Sequence, residues 1–184
     1  MKQTSILEQP AKPTFDELIR RLDSVNLDLR QETDDTEQLN PKQRLISIRN
    51  VWNTAKSKVG NPKTALDVGS GFAYGTVFLD LNGVKTIGIE KVGLKNTQAK
   101  DLFNKLGIGL NSTSEIDFDK SPAVLEADFI ELQGQEVSDL ITMFYLSGEL
   151  VMNPTTFQIC KKLLKKDGRV LLSTEADKET VEKL

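Results

Sequence analysis

The sequence predicts an α/β fold with a doubly wound, mainly parallel sheet, and three features of its 184 residues carry that prediction. Five short apolar runs, at residues 64–68, 86–89, 123–127, 138–144 and 169–173, read as near-continuous hydrophobic segments, as strands covered on both faces do. Most of the gaps between them carry a helical apolar period, which gives βα alternation. Gly69-Ser70-Gly71 closes the first run where the next helix begins, a junction at which backbone can approach a ligand.

Residues 1–13 are polar, contain Pro10 and Pro13, and read as a loose arm. Thr14-Phe15-Asp16-Glu17 has capping-box spacing, and Phe15, Leu18, Ile19, Leu22 and Val25 follow at helical intervals. Residues 28–38 are acidic and poor in apolar side chains, the composition of a linker or a lid. Asn40-Pro41 supplies an N-cap and a first-turn proline to a helix with the stripe Leu45, Ile48, Trp52, Ala55 and Val59, and Gly60-Asn61-Pro62 stops it. Trp52 lies on that stripe and reads as core. Residues 1–62 are therefore expected to be an arm and helices packing on a core of residues 63–184, one structural domain overall.

Within that core, Val77, Phe78 and Leu81 mark a helix over residues 73–81, which Asn82-Gly83 ends. Thr86-Ile87-Gly88-Ile89 is the second strand and stops on Glu90. A helix over residues 94–106 ends at Gly107. Residues 108–122 are long for a connection and read as an insertion with little regular structure, or a partial extension of that helix. Asp128-Phe129 ends the third strand, residues 123–127, and residues 138–144 form the fourth. Asn153-Pro154 caps a helix running to about Lys166, and Asp167-Gly168 leads into the fifth strand. Only residues 174–184 remain, so the terminal hairpin is expected to be short or missing, with the strand-five edge covered by a helix from that tail or by association with a partner.

Net charge is −3, from 24 basic and 27 acidic residues, which gives no overall attraction to nucleic acid. There is no apolar run long enough to span a bilayer and no apolar core for a signal peptide in the first 13 residues, so a soluble, cytoplasmic protein with no membrane partner is expected. The single cysteine, Cys160, excludes an internal disulfide. With no histidine, zinc binding and histidine-based acid/base or triad chemistry are excluded, and no metal site is expected.

The glycine turn discriminates between ligands. A dinucleotide fingerprint needs glycine or alanine at the sixth position from Gly69, where Tyr74 stands. Glu90, about 20 residues past the glycines, stands where an acid holds ribose hydroxyls. Asp67-Val68-Gly69-Ser70-Gly71-Phe72-Ala73 resembles the first motif of class I S-adenosylmethionine-dependent methyltransferases, and residues 63–173 follow that family's order of motifs. The resemblance implies a Rossmann-like methyltransferase sheet with S-adenosylmethionine as cofactor. By the same resemblance Asp67 holds the methionine end, directly or through water. Gly69, Ser70, Gly71 and Phe72 form the turn beneath the cofactor, Glu90 takes the ribose, Asp128 takes the adenine amino group, and Phe129 lies against the ring.

Within the superfamily, Gly88-Ile89-Glu90-Lys91 and residues 140–150 are similar to the Dot1-like protein lysine methyltransferases and their compact archaeal and mitochondrial relatives. The asparagine which that group carries after strand four has no counterpart at Phe144 or Tyr145, and its upstream Tyr-Gly-Glu loop is missing. The Asn/Asp-Pro-Pro-Tyr signature of adenine and glutamine methyltransferases is absent too, since Phe144-Tyr145-Leu146-Ser147 stands in its place. Aromatic and apolar walls suit a lysine stem and favour its neutral amine. The expected acceptor is a lysine in a basic protein segment, drawn in by the acids of residues 28–37 and 115–119. Tyr145 and Glu149 are the catalytic candidates, as a phenol at the reacting methyl and a proton relay; Tyr145 as packing and Glu149 as surface read equally well. Two alternatives stand beside this one: a small-molecule methyltransferase, closed over by the N-terminal helices and the 108–122 insertion, and a non-catalytic cofactor-binding subunit.

Overall fold

The computed structural model describes residues 12–25, 40–146 and 153–173 and the backbone of residues 179–182. Two helices come first, α1 (Phe15–Leu22) and α2 (Pro41–Val59). Then follow β1 (Thr64–Val68), α3 (Tyr74–Leu81), β2 (Lys85–Glu90), α4 (Gly93–Lys105), β3 (Asn111–Thr113), β4 (Ala123–Glu126), β5 (Ser138–Phe144), α5 (Pro154–Leu163), β6 (Leu164–Ser173) and β7 (Glu179–Glu182). The seven strands form one sheet in the order β3-β4-β2-β1-β5-β6-β7. All pairings are parallel except that of β7 with β6. β1 lies between β2 and β5, so the chain turns back on itself beside β1, and the crevice at the carboxyl ends of these strands is where doubly wound folds bind ligands.

Alternation along the strands divides the core into two layers. Ala65 and Leu140 face α2 and α3, whereas Leu66, Val68, Ile141 and Met143 face the layer that holds Cys160 and Leu163 of α5. Asp67 and Thr142, directly opposite each other in register, therefore share the α2/α3 face with Phe144. The N-terminal helices start as their caps require: Thr14 Oγ1 accepts from the Glu17 N–H at 3.3 Å and Asn40 Oδ1 from the Lys42 N–H at 2.9 Å. Trp52 is buried and meets Phe78 edge-on at 6.4 Å, while Phe15 meets the same ring at 5.6 Å.

Three expectations need correction. Residues 108–122 are not irregular: Asn111–Thr113 adds β3 in parallel to β4, and Phe118–Lys120 forms a 3-10 turn. Ile108 and Leu110, both buried, anchor the approach to that strand. The helix before β6 ends at Leu163 and does not reach Lys166, because Leu164 is already extended, buried, and paired with Ser138. The edge of the fifth predicted strand, now β6, is covered by a strand and not by a helix: Glu179–Glu182 runs antiparallel along Val170–Ser173. Deleting residues 179–184 should expose the backbone groups of that edge, lower the melting temperature and promote self-association, which differential scanning calorimetry and sedimentation would detect. An unchanged, monomeric protein would refute the protective role of β7.

No helix among the described residues is long and apolar enough to cross a membrane. The described residues also contain no cluster of acids, cysteine or histidine arranged to hold a metal ion.

Candidate functional site

The turn after β1 owes its shape to three residues in left-handed conformations, Gly69 (φ 64°), Gly71 (φ 52°) and Ala73 (φ 58°). A Cβ on Gly69 would fall on the Leu146 side chain, so the turn packs against the segment leaving β5, whereas a Cβ on Gly71 would meet nothing within 4 Å. The turn's own N–H groups are largely used: Ser70 donates to Ile89 O at 3.0 Å, Ala73 to Ser70 O at 2.7 Å, and Gly71 to Glu90 Oε2 at 2.9 Å.

Glu90 ends β2 and is buried, its second carboxylate oxygen accepting from the Val92 N–H at 2.9 Å. Each oxygen keeps a lone pair, so Glu90 both ties the turn to β2 and can still accept from a ligand hydroxyl. Asp67 is 2% exposed. Its Oδ1 accepts from Thr142 Oγ1 and its Oδ2 from Thr76 Oγ1, each at 2.9 Å. Burial pushes its carboxyl up to about 6; the two hydroxyls and the Thr76 N–H oppose this, and the nearby Glu90 charge adds to it. Ser70 Oγ is buried without a hydrogen-bond partner among the described residues, and so is Asn96 Oδ1; the Asn96 amide donates to Glu90 O at 3.4 Å.

On the other side of β2, Asp128 caps a short 3-10 turn by accepting from the Ile130 N–H at 3.2 Å, and pairs with Lys91 Nζ at 2.7 Å. The Lys91 ammonium holds its carboxyl below the usual range. Phe129 is buried in the layer that holds Cys160 and Leu163 of α5, with Leu125 and Leu132. Phe72 is half-buried, with its ring 6.1 Å from that of Tyr74. Exposure marks two residues that sequence reasoning missed. Val92 and Ile130 are large apolar side chains, 39% and 41% exposed, beside Glu90 and Asp128 respectively.

Tyr145 follows β5 with φ 60°, an uncommon conformation for a large side chain. Its hydroxyl is hydrogen-bonded to Ser47, the Arg44 guanidinium lies 4.3 Å above its ring, and its N–H donates to Ser173 O at 2.9 Å. The residue is thus held by α2. Glu149, the other catalytic candidate, lies outside the described residues, as do residues 28–37.

Comparisons with known proteins support the architecture. No protein-family model matches the chain, and no curated protein sequence does. Among solved structures, an S-adenosylmethionine-dependent methyltransferase from Clostridium acetobutylicum is similar, with a TM-score of 0.55 and 16% identity over 70% of this chain and 49% of its own. YjhP from E. coli gives a TM-score of 0.52 and 17% identity over 85% of this chain and 55% of that one. A 1,6-didemethyltoxoflavin-N1-methyltransferase from Burkholderia thailandensis, solved with S-adenosylhomocysteine, gives 0.50 and 16%, over 74% and 61%. This chain has the Rossmann-like methyltransferase fold. It spans between 49% and 61% of the length of these three structures.

In this fold the glycines respond differently to substitution. Gly71→Val should meet no clash, because its Cβ enters open space, yet block whatever rests on the turn; the positive φ costs about 2 kcal/mol for a β-branched residue. Gly75→Ala should instead destabilise the protein, since a Cβ there would lie 2.6 Å from Asp67 Oδ2 and 2.7 Å from the Phe144 ring. Thermal melts with and without S-adenosylhomocysteine separate the two, and equal ligand-induced shifts in wild type and Gly71→Val would refute the open-cradle reading.

Proposed function

We propose that the chain binds S-adenosylmethionine at the carboxyl ends of β1, β2 and β4 and transfers its methyl group to an amine. The observation that carries this reading is charge. Two buried carboxylates, Asp67 and Glu90, flank the glycine turn, and no cation among the described residues forms an ion pair with either. Glu90 also occupies the Gly71 N–H that a phosphate would use. Such a cradle repels a pyrophosphate and favours a cationic nucleoside. The residues fit the cofactor: Glu90 would take the ribose, the Asp128 carboxylate with Val92 and Ile130 would frame the adenine, and the open face of Gly71 would admit the chain between them. Bound there, the sulfonium supplies an activated methyl for in-line displacement, which needs alignment more than a strong base.

The acceptor must be neutral when it attacks, and a lysine amine titrates near 10.4 in water. Phe144 and Tyr145 provide desolvating walls, and the Arg44 charge over Tyr145 disfavours a second cation beside it. These features support a protein lysine as the acceptor. Arg44 and α2 lying against Tyr145 also favour a second reading, a small amine, because the same cation opposes a basic protein segment and the helix narrows the approach. Incubation with labelled S-adenosylmethionine and a whole-cell lysate, followed by mass spectrometry, decides between them. Label on lysine side chains supports the first reading and label on metabolites the second; label on nucleobases or glutamine, or none anywhere, overturns both.

A further inference from the structure

Helix α3 has no cap of its own. Ala73, at its N-cap position, makes no side-chain hydrogen bond, so the first-turn N–H groups need an acceptor from elsewhere. Asp67 reaches that turn from the neighbouring strand: its Oδ2 accepts from the hydroxyl of Thr76, the third residue of the helix, at 2.9 Å, and the Thr76 backbone also favours its charged form. The other oxygen is held across the sheet by Thr142 of β5, directly opposite in register. Gly75 has no side chain where the carboxylate sits, and Gly88 leaves room for Ser70 and Thr76, with Ser70 Oγ only 2.8 Å from where its Cβ would be. The carboxylate is therefore locked beneath the turn, and it joins β1, β5 and α3 at the point where the glycine turn enters the helix.

We propose that Thr76 and Thr142 are positioning residues, whose hydroxyls fix the Asp67 carboxylate under the first turn of α3 and thereby fix the glycine turn and a buried negative charge beneath the cofactor. The inference rests on the proposed function for its ligand, and it assigns Asp67 an indirect part in binding. A hydroxyl that donates to an ionised carboxylate favours the ionised form, so loss of either hydroxyl should raise the pH at which Asp67 loses its proton. The charged group whose field acts on Asp67 is Glu90 from β2; β5 and α3 present Thr142, Phe144, Gly75 and Thr76 to it, and the Tyr74 phenol of α3 is pushed above the ordinary tyrosine range by burial and stays neutral.

The test uses Thr142→Val, Thr142→Ser, Thr76→Val and Thr76→Ser in the full chain, with two readouts. The first is the pH dependence of urea stability, measured against Asp67→Asn to isolate the titration of Asp67. The second is calorimetric affinity for S-adenosylhomocysteine at neutral pH. We expect each valine variant to titrate Asp67 at higher pH and to bind about tenfold more weakly, and each serine variant to behave as wild type. Binding lost without a move in the titration, or without rescue by serine, would overturn the positioning role, as would valine variants indistinguishable from wild type. A wild-type chain that binds neither S-adenosylhomocysteine nor S-adenosylmethionine would sink the proposed function instead, leaving the titration alone to decide whether the threonines hold Asp67.

Discussion

Asp67→Asn should make the protein more stable at neutral pH while weakening its hold on the cofactor. The Asp67 carboxyl is raised from 3.8 to about 6 in the folded chain, so between those values the unfolded state has released a proton that the folded state keeps. Stability therefore falls as pH rises from about 4 to about 6 and is level above that, with a total penalty on the order of 2–3 kcal/mol. Asparagine is isosteric and does not ionise: its oxygen can accept from Thr76, and its amide can donate to the Thr142 hydroxyl once that rotates. The variant should lack the decline and exceed wild type by about 2 kcal/mol at pH 7. Affinity for S-adenosylmethionine should fall more than affinity for S-adenosylhomocysteine, whose thioether carries no charge, because the buried carboxylate favours the sulfonium. Urea unfolding from pH 3.5 to 8, with calorimetry on both ligands, checks this; parallel stability profiles for the two proteins would mean that Asp67 is ionised without cost.

The sequence made the central architecture legible because the relevant signals are short-range. Asp67 lies one residue before the end of the first apolar run and Glu90 ends the second, and the glycines fall between the first run and a helix, so β1, β2 and the turn could be placed from spacing alone. What was missed depends on contacts distant in the chain. The carboxylate that holds the first turn of α3 comes from a residue nine positions before Thr76, and the second hydroxyl on it lies 75 positions from Asp67. β3 is a polar edge strand, Asn111-Ser112-Thr113, with no apolar alternation to announce it. Lys165 and Lys166 suit a helix by propensity, but two adjacent leucines, Leu163 and Leu164, both have to enter the core, and that ends α5 first. Val92 and Ile130 look like ordinary turn residues until their exposure is known.

Glu90→Ala carries the largest expected loss of binding. The carboxylate accepts from two backbone N–H groups on opposite sides, Gly71 in the turn and Val92 before α4, so its removal leaves both donors short of a partner in a partly buried place. That should lower stability by about 1–3 kcal/mol, less where water replaces the oxygens. Binding should suffer twice, through the lost ribose contact and through a turn no longer tied to β2. A hydrogen bond to a charged group contributes about 1.5–3 kcal/mol, which corresponds to roughly tenfold to a hundredfold in affinity. Glu90→Gln keeps one acceptor but sets its amide against an N–H donor, so it should fall between alanine and wild type. Burial is the main cause that raises Asp67, but both substitutions remove the smaller contribution of the Glu90 charge, and the decline of stability between pH 4 and 6 should become slightly shallower. Calorimetric titration with S-adenosylhomocysteine, together with urea unfolding across that pH range, measures all three effects. Wild-type affinity in Glu90→Ala would remove the ribose assignment, and an unchanged pH profile would show that Glu90 and Asp67 do not sense each other across the turn.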